Sequence, residues 1–209
     1  MKKNYFLVAS IILLLLSIIA FSDNLLTDIG QESNSDPKFI IHGLFFLAWF
    51  VILVVQSNFI RKGNYRTHMN LGLWGMGIAI GVVLSTFYVF YAEFEGWSVM
   101  PGFVKANRIL TLSFTIFVLL AYLKRKKPIE HKRLLYIGTL YVLGPIIGRV
   151  ADKLGPGGDL SFIAFEFIIW TGLFISLLIY DKVTLKRIHG ITWMGIIWFY
   201  IVWIFSIVH

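Results

Sequence analysis

Apolar residues in this chain do not alternate with polar ones. They run in seven long blocks, roughly 5–22, 38–59, 69–92, 104–123, 134–150, 161–180 and 190–208, and short polar segments between them hold most of the charge. A helix rising ~1.5 Å per residue needs ~20 residues to cross ~30 Å of hydrocarbon, and each block approaches or exceeds that length. The pattern predicts an all-α fold, a polytopic membrane bundle of seven transmembrane helices making one integral membrane domain over residues 1–209. The fifth block is the shortest and contains Pro145, which removes a backbone donor and predicts a kink. Its glycines admit close neighbours.

The connections vote on orientation. Lys2, Lys3, Arg61, Lys62, Arg66, Lys124, Arg125, Lys126, Lys127, Lys132, Arg133, Lys182, Lys186 and Arg187 fall on one side, 14 of the 19 basic residues. The other side has Lys38, Lys105, Arg108, Arg149 and Lys153, together with Asp23, Asp28, Glu32, Asp36, Glu93, Glu95, Asp152 and Asp159. Lys and Arg accumulate beside the cytoplasmic ends of spans, so the N-terminus is expected in the cytoplasm and the C-terminus outside or in the periplasm. This implies a multi-pass protein of a cell inner membrane. The first block has a rival reading: Lys2 and Lys3 before a long apolar run resemble a signal peptide, with Ala20-Phe21-Ser22 as a weak cleavage site. Cleavage would leave six spans; the bulky residues around Phe21 favour an uncleaved helix.

Composition narrows the chemistry. Hydrophobic residues make up 58% of the chain and charged residues 14%, against ~25% charged in a soluble domain. There is no cysteine, which excludes disulfides, thiolate metal sites, iron–sulfur clusters and cysteine nucleophiles. The formal charge of +8 comes from clusters between apolar blocks, so it marks topology and not a nucleic-acid surface. Membrane lipids are the expected surroundings.

Two polar groups stand out. On the expected cytoplasmic side, His68, His131 and His189 open three spans, each followed by glycine: Gly75, Gly138 and Gly195. Gln56 and Asp181 end two others at similar depth, and Asn64, Asn70 and Arg187 add hydrogen-bonding capacity. Three imidazoles with a carboxylate could hold a divalent metal such as zinc or iron, and two facing imidazoles could ligate haem b. The simpler reading has these histidines at the interface, meeting lipid phosphates or helix ends. Asp181 is either a solvated stop residue or a partner for Arg187 or His189.

On the expected exterior side, Glu166 lies inside the apolar stretch SFIAFEFIIWTGLF, where a lone ionised carboxylate is costly. Arg149, Arg108 and His42 are available near the same side. Together they could line a pocket for a small polar solute, a quinone head group or protons. Alternatively Arg149 and Glu166 form a structural pair whose desolvation limits its stabilising value. The glycine-rich stretch Gly155-Pro156-Gly157-Gly158 reads as a turn, without the lysine-containing pattern of a phosphate loop.

Other classes are excluded by what the blocks lack. The last block contains no lysine, so no retinal Schiff base can form there. No nucleotide loop, no GxSxG nucleophile and no repeated arginines along one span support an ATPase, a hydrolase or a voltage sensor. The tryptophan-rich stretches FFLAWFVILV and WMGIIWFYIVWIF read as packing and lipid-facing surface.

The arrangement His42…Gln56…His68-Met-Asn-Leu-Gly72, His131-Lys-Arg-Leu, Gly144-Pro145…Arg149 and Asp181…Arg187-Ile-His189 resembles a group of bacterial multi-helix inner-membrane proteins with HR or HK before leucine at helix starts. The resemblance covers the chain from about residue 38 and implies a bacterial inner-membrane setting, with no reaction attached. A looser resemblance to cytochrome b561-like proteins rests on histidines in a small bundle. Three functions follow as expectations: binding or transport of a small solute, proton or lipid head group around Glu166; haem or metal redox chemistry at the histidines; or a structural role in a membrane complex.

Overall fold

A computed structural model describes residues 4–27, 30–154 and 158–208. Lys2, Lys3, Asp28 and the Gly155–Gly157 part of the expected turn lie outside the described residues. The described residues form an all-α fold with no strand. Helix α1 spans Tyr5–Ala20, α2 Pro37–Arg61, α3 Tyr65–Ala92, α4 Gly102–Leu123, α5 Pro128–Tyr141, α6 Gly144–Leu154, α7 Asp159–Leu185 and α8 Gly190–Val208. A π turn at Asp23–Thr27 and a short 3-10 turn at Glu32–Asn34 lie between α1 and α2.

Each apolar block became helix, but not seven clear spans. Among the described residues five helices are long and apolar enough to cross a membrane: α2, α3, α4, α7 and α8. A sixth crossing exists if α5 and α6 are counted together, bent by 51°. With 16 residues, α1 reaches about 24 Å at ~1.5 Å per residue, short of ~30 Å of hydrocarbon. Large apolar side chains such as Trp74, Leu84, Ile168 and Ile201 are exposed along the helices, as expected of surface that meets lipid and not water.

The chain divides into two compact units, Met1–Glu93 and Phe94–His209. In the first, α2 and α3 form a hairpin turning at Gly63, whose φ of 73° is left-handed backbone that suits glycine. Asn64 caps α3 by accepting from the Thr67 N–H at 3.1 Å. Close packing fixes the register: Ile52 lies against Gly75, the Phe45 ring covers Gly81, and His42 meets Ser85 and Thr86. At the far end Asp36 caps α2 by accepting from the Lys38 N–H at 3.0 Å. The Lys38 ammonium also bonds the Asp36 carboxylate and holds its carboxyl below the usual carboxylate range. The same ammonium reaches Glu93 at 3.1 Å, linking the start of α2 to the end of α3.

In the second unit, Phe199 of α8 packs against Trp170 and Phe174 of α7 at ring-centroid distances of 5.0 and 5.2 Å, and stacks on Tyr141 of α5. The Tyr141 hydroxyl donates to the Gly195 carbonyl at 2.9 Å, so the phenol reaches α8 without a stranded polar tip. These aromatic contacts hold α5, α7 and α8 around the site described next.

Candidate functional site

The bend between α5 and α6 begins with Pro145. Its nitrogen carries no hydrogen, so the Tyr141 carbonyl loses its helical donor four residues on. The Ile146 and Ile147 N–H groups both donate to the Leu143 carbonyl at 2.9 Å, which deprives the Val142 carbonyl of its helical donor as well. The Leu140 carbonyl fares better, accepting from the Leu143 N–H at 3.2 Å and the Trp170 indole at 3.4 Å. Tyr141, Val142 and Leu143 are all buried, so the break exposes backbone oxygen inside the unit. Irregular backbone at membrane depth is tolerated where protein or a cavity surrounds it.

Neighbouring helices bring polar groups to the same level. On α4 the pairings run Ala121 with His131, Phe117 with Gly138 and Asn107 with Gly144, so Asn107 and Arg108 sit beside the break. The Asn107 side-chain oxygen packs so closely on Gly144 that a Cβ there would lie 2.5 Å from it. On α7, Phe162 touches Gly148 of α6 and Trp170 bonds Leu140 of α5. Phe162, Glu166 and Trp170 are four residues apart and share a helical face, so Glu166 sits midway on the face that spans the bend. On α8, the Trp198 indole donates to Ser113 of α4 at 2.8 Å, which sets Trp203 level with Arg108. The Trp203 side chain also hydrogen-bonds Glu166.

The expected Arg149–Glu166 pair is therefore corrected. Among the described residues Glu166 forms no ion pair, and its side-chain partner is the Trp203 indole. Arg149 lies on α6, about one turn beyond the break on the side away from α5. The Arg108 guanidinium turns to the Phe94 ring, 5.4 Å from its centroid. His42 belongs to the first unit, where its Nδ1 lies 3.4 Å from the Ser85 hydroxyl and 3.5 Å from that of Thr86. Both hydroxyls also donate to the Val82 carbonyl, so their protons are committed and Nδ1 is left as the donor.

The other end of the second unit holds a different carboxylate. Asp181 and Arg133 are both fully buried and form an ion pair. Arg133 Nε donates to Asp181 Oδ1 at 2.8 Å, while Arg133 Nη1 donates to the Ile129 carbonyl at 2.7 Å. Asp181 Oδ2 accepts from the His189 backbone N–H at 2.9 Å and the Thr192 hydroxyl at 2.7 Å. Beside this network Lys132 donates to the Tyr180 hydroxyl at 2.7 Å. Asp181 thus pairs with Arg133 and not with Arg187, which is exposed. His189 enters the network through its backbone and not its ring.

Of the three histidines that could bind metal or haem, His131 and His189 are engaged locally. The His131 Nδ1 donates to the Ala121 carbonyl at 2.8 Å, tying α5 to the end of α4. The His189 Nδ1 accepts from the Ile191 N–H at 3.2 Å and caps the start of α8. His68 lies in the first turns of α3 in the other unit, with a buried Nδ1. Among the described residues no group of three or more His, Asp or Glu side chains is arranged to hold a metal ion. Among the described residues His68, His131 and His189 therefore form no three-ligand metal site. Gln56, on α2 of the first unit, has a buried side-chain amide with no hydrogen-bond partner among the described residues. No protein family, curated protein or solved structure matches the chain.

Sequence reasoning missed Arg133, Thr192, Asn107 and Trp203. Arg133 was hidden among the basic residues that mark the side of a loop. The depth of Glu166 and the unusual Gly144-Pro145 pair were the available signals for the layer that contains the other two.

Proposed function

We propose that this chain is a multi-pass inner-membrane protein, N-terminus in the cytoplasm, that binds and passes a small polar or protonatable solute. In this reading Glu166 is the exchanging carboxyl. The observation that carries it is the coincidence, at one level of one unit, of an ion-unpaired carboxyl and a broken helix with freed carbonyl groups. An intramembrane ionisable residue is a functional candidate by default, and solute sites in transporters favour helix breaks. The 14-to-5 division of basic residues supports the orientation. The resemblance to bacterial inner-membrane proteins points to the same setting.

Dicyclohexylcarbodiimide tests the site because it modifies carboxyls that take up a proton in apolar surroundings. Membranes carrying the full chain should show an adduct at Glu166 by peptide mass spectrometry, and none at that peptide in Glu166→Gln. A folded chain that leaves Glu166 unmodified overturns the reading. Reporters in the connections near residues 64 and 128 should face the cytoplasm, and their appearance outside would reverse the orientation.

A further inference from the structure

The kind of solute follows from what the helix break leaves unsatisfied. A break joins the negative end of one helix to the positive end of the next, so it can serve either sign of charge. Here few first-turn N–H groups of α6 are left, since Pro145 has none and Ile146 and Ile147 both donate to Leu143. A helix start with its amides committed is a poor anion site. The groups left over are oxygens: the Tyr141 and Val142 carbonyls, the Asn107 side-chain oxygen packed on Gly144, and the Glu166 carboxylate on the facing stripe of α7.

We propose that the α5–α6 break and Glu166 form a monovalent cation site, with sodium held by these oxygens and its charge met by the single carboxylate. The inference rests on the reading of Glu166 as the exchanging group and names what it exchanges. Hard cations select oxygen ligands, and unwound helix carbonyls are a known means of holding sodium at membrane depth. One carboxylate matches one positive charge, whereas dedicated calcium sites gather several carboxylate and carbonyl oxygens. Among the described residues Glu166 is ion-paired with neither Arg108 nor Arg149, and its side-chain partner is Trp203. In the absence of sodium a proton on Glu166 would serve the same neutralising role.

The experiment measures the rate of carbodiimide modification at Glu166 in the purified full-length protein in detergent. Sodium chloride is varied at constant ionic strength against choline chloride. Sodium should slow modification in a saturable way, while choline should not. Pro145→Ala returns an N–H to the Tyr141 carbonyl, so it should keep modification at Glu166 while weakening sodium protection about tenfold. Asn107→Ala should weaken protection without abolishing modification. Modification that is indifferent to sodium overturns the cation assignment and leaves the protonatable Glu166 reading standing. Absence of modification in wild type removes both. Unchanged sodium protection in Pro145→Ala and Asn107→Ala would show that these oxygens do not hold the ion and would overturn the proposal.

Discussion

Two carboxylates of the second unit, Asp181 and Glu166, lie toward opposite ends and are treated in opposite ways. Asp181 receives four donated hydrogens, two from Arg133, one from the His189 backbone and one from Thr192. Glu166 receives one indole bond and lies between Phe162 and Trp170, the α7 residues that touch α6 and α5 on either side of a bend where carbonyl groups lack donors. The first arrangement is closed: every lone pair has a use, and any movement of α5, α7 or α8 costs a charge-assisted bond. The second has oxygen to spare. A saturated buried pair fixes helices, whereas an unsaturated one has capacity for something not belonging to the chain. The two ends therefore predict different responses to the same kind of mutation.

The largest effect should come from breaking the closed end. Arg133→Met leaves Asp181 buried with an uncompensated charge and should lower stability by about 3–5 kcal/mol, read by thermal unfolding of the detergent-purified protein. Adding Asp181→Leu removes the stranded charge and should recover most of that loss. A double variant as unstable as the single one would mean that the pair is more than a desolvated clasp. Next in size is Thr192→Val, which keeps the shape but withdraws one donor from the carboxylate. It should cost about 1.5–3 kcal/mol by the same measurement, without altering modification of Glu166.

At the break, the test is steric. Gly144→Ala drives a Cβ into the Asn107 side-chain oxygen at 2.5 Å, and overpacking of this kind costs about 1–3 kcal/mol. Asn107→Ala should relieve most of it. If Gly144→Ala alone were neutral, α4 would be free to withdraw from the bend, and Asn107 would be a poor ligand for the proposed cation.

The contrast also separates what the sequence reveals from what it conceals. Apolar runs are a local signal, so seven blocks of residues correspond to helices from Tyr5–Ala20 to Gly190–Val208. Where length decides, apolar blocks overstate the spans: α1 is 16 residues long, and Pro145 divides the fifth block into two helices at a 51° bend. The depth of Glu166 inside an apolar stretch was legible for the same local reason. Its partner was not, because Arg149 and Trp203 are both reachable in sequence terms and only the rotation of α7 against α8 chooses between them. Asp181 shows the same limit. Arg187 is six residues away along the chain, while Arg133 lies on another helix, and helix register is set by small contacts such as Gly138 on Phe117. Arg133 stands beside a basic loop in the sequence, yet it is fully buried and serves Asp181 and not topology alone.

The smallest expected effect sharpens the comparison most. Trp203→Phe keeps a ring beside Phe167 while removing the indole N–H and part of the ring volume. At Asp181 the loss of one donor leaves an oxygen of a fully buried charge short of a bond. At Glu166 the loss should cost no more than about 0.5–1.5 kcal/mol, the ordinary value of one hydrogen bond. The indole covers one carboxyl oxygen, so its removal should raise the rate of carbodiimide attack at Glu166 while sodium still protects. A stability loss as large as that of Arg133→Met would place Glu166 in a closed structural network after all. Faster modification with little loss of stability is the behaviour of a carboxyl held ready for exchange.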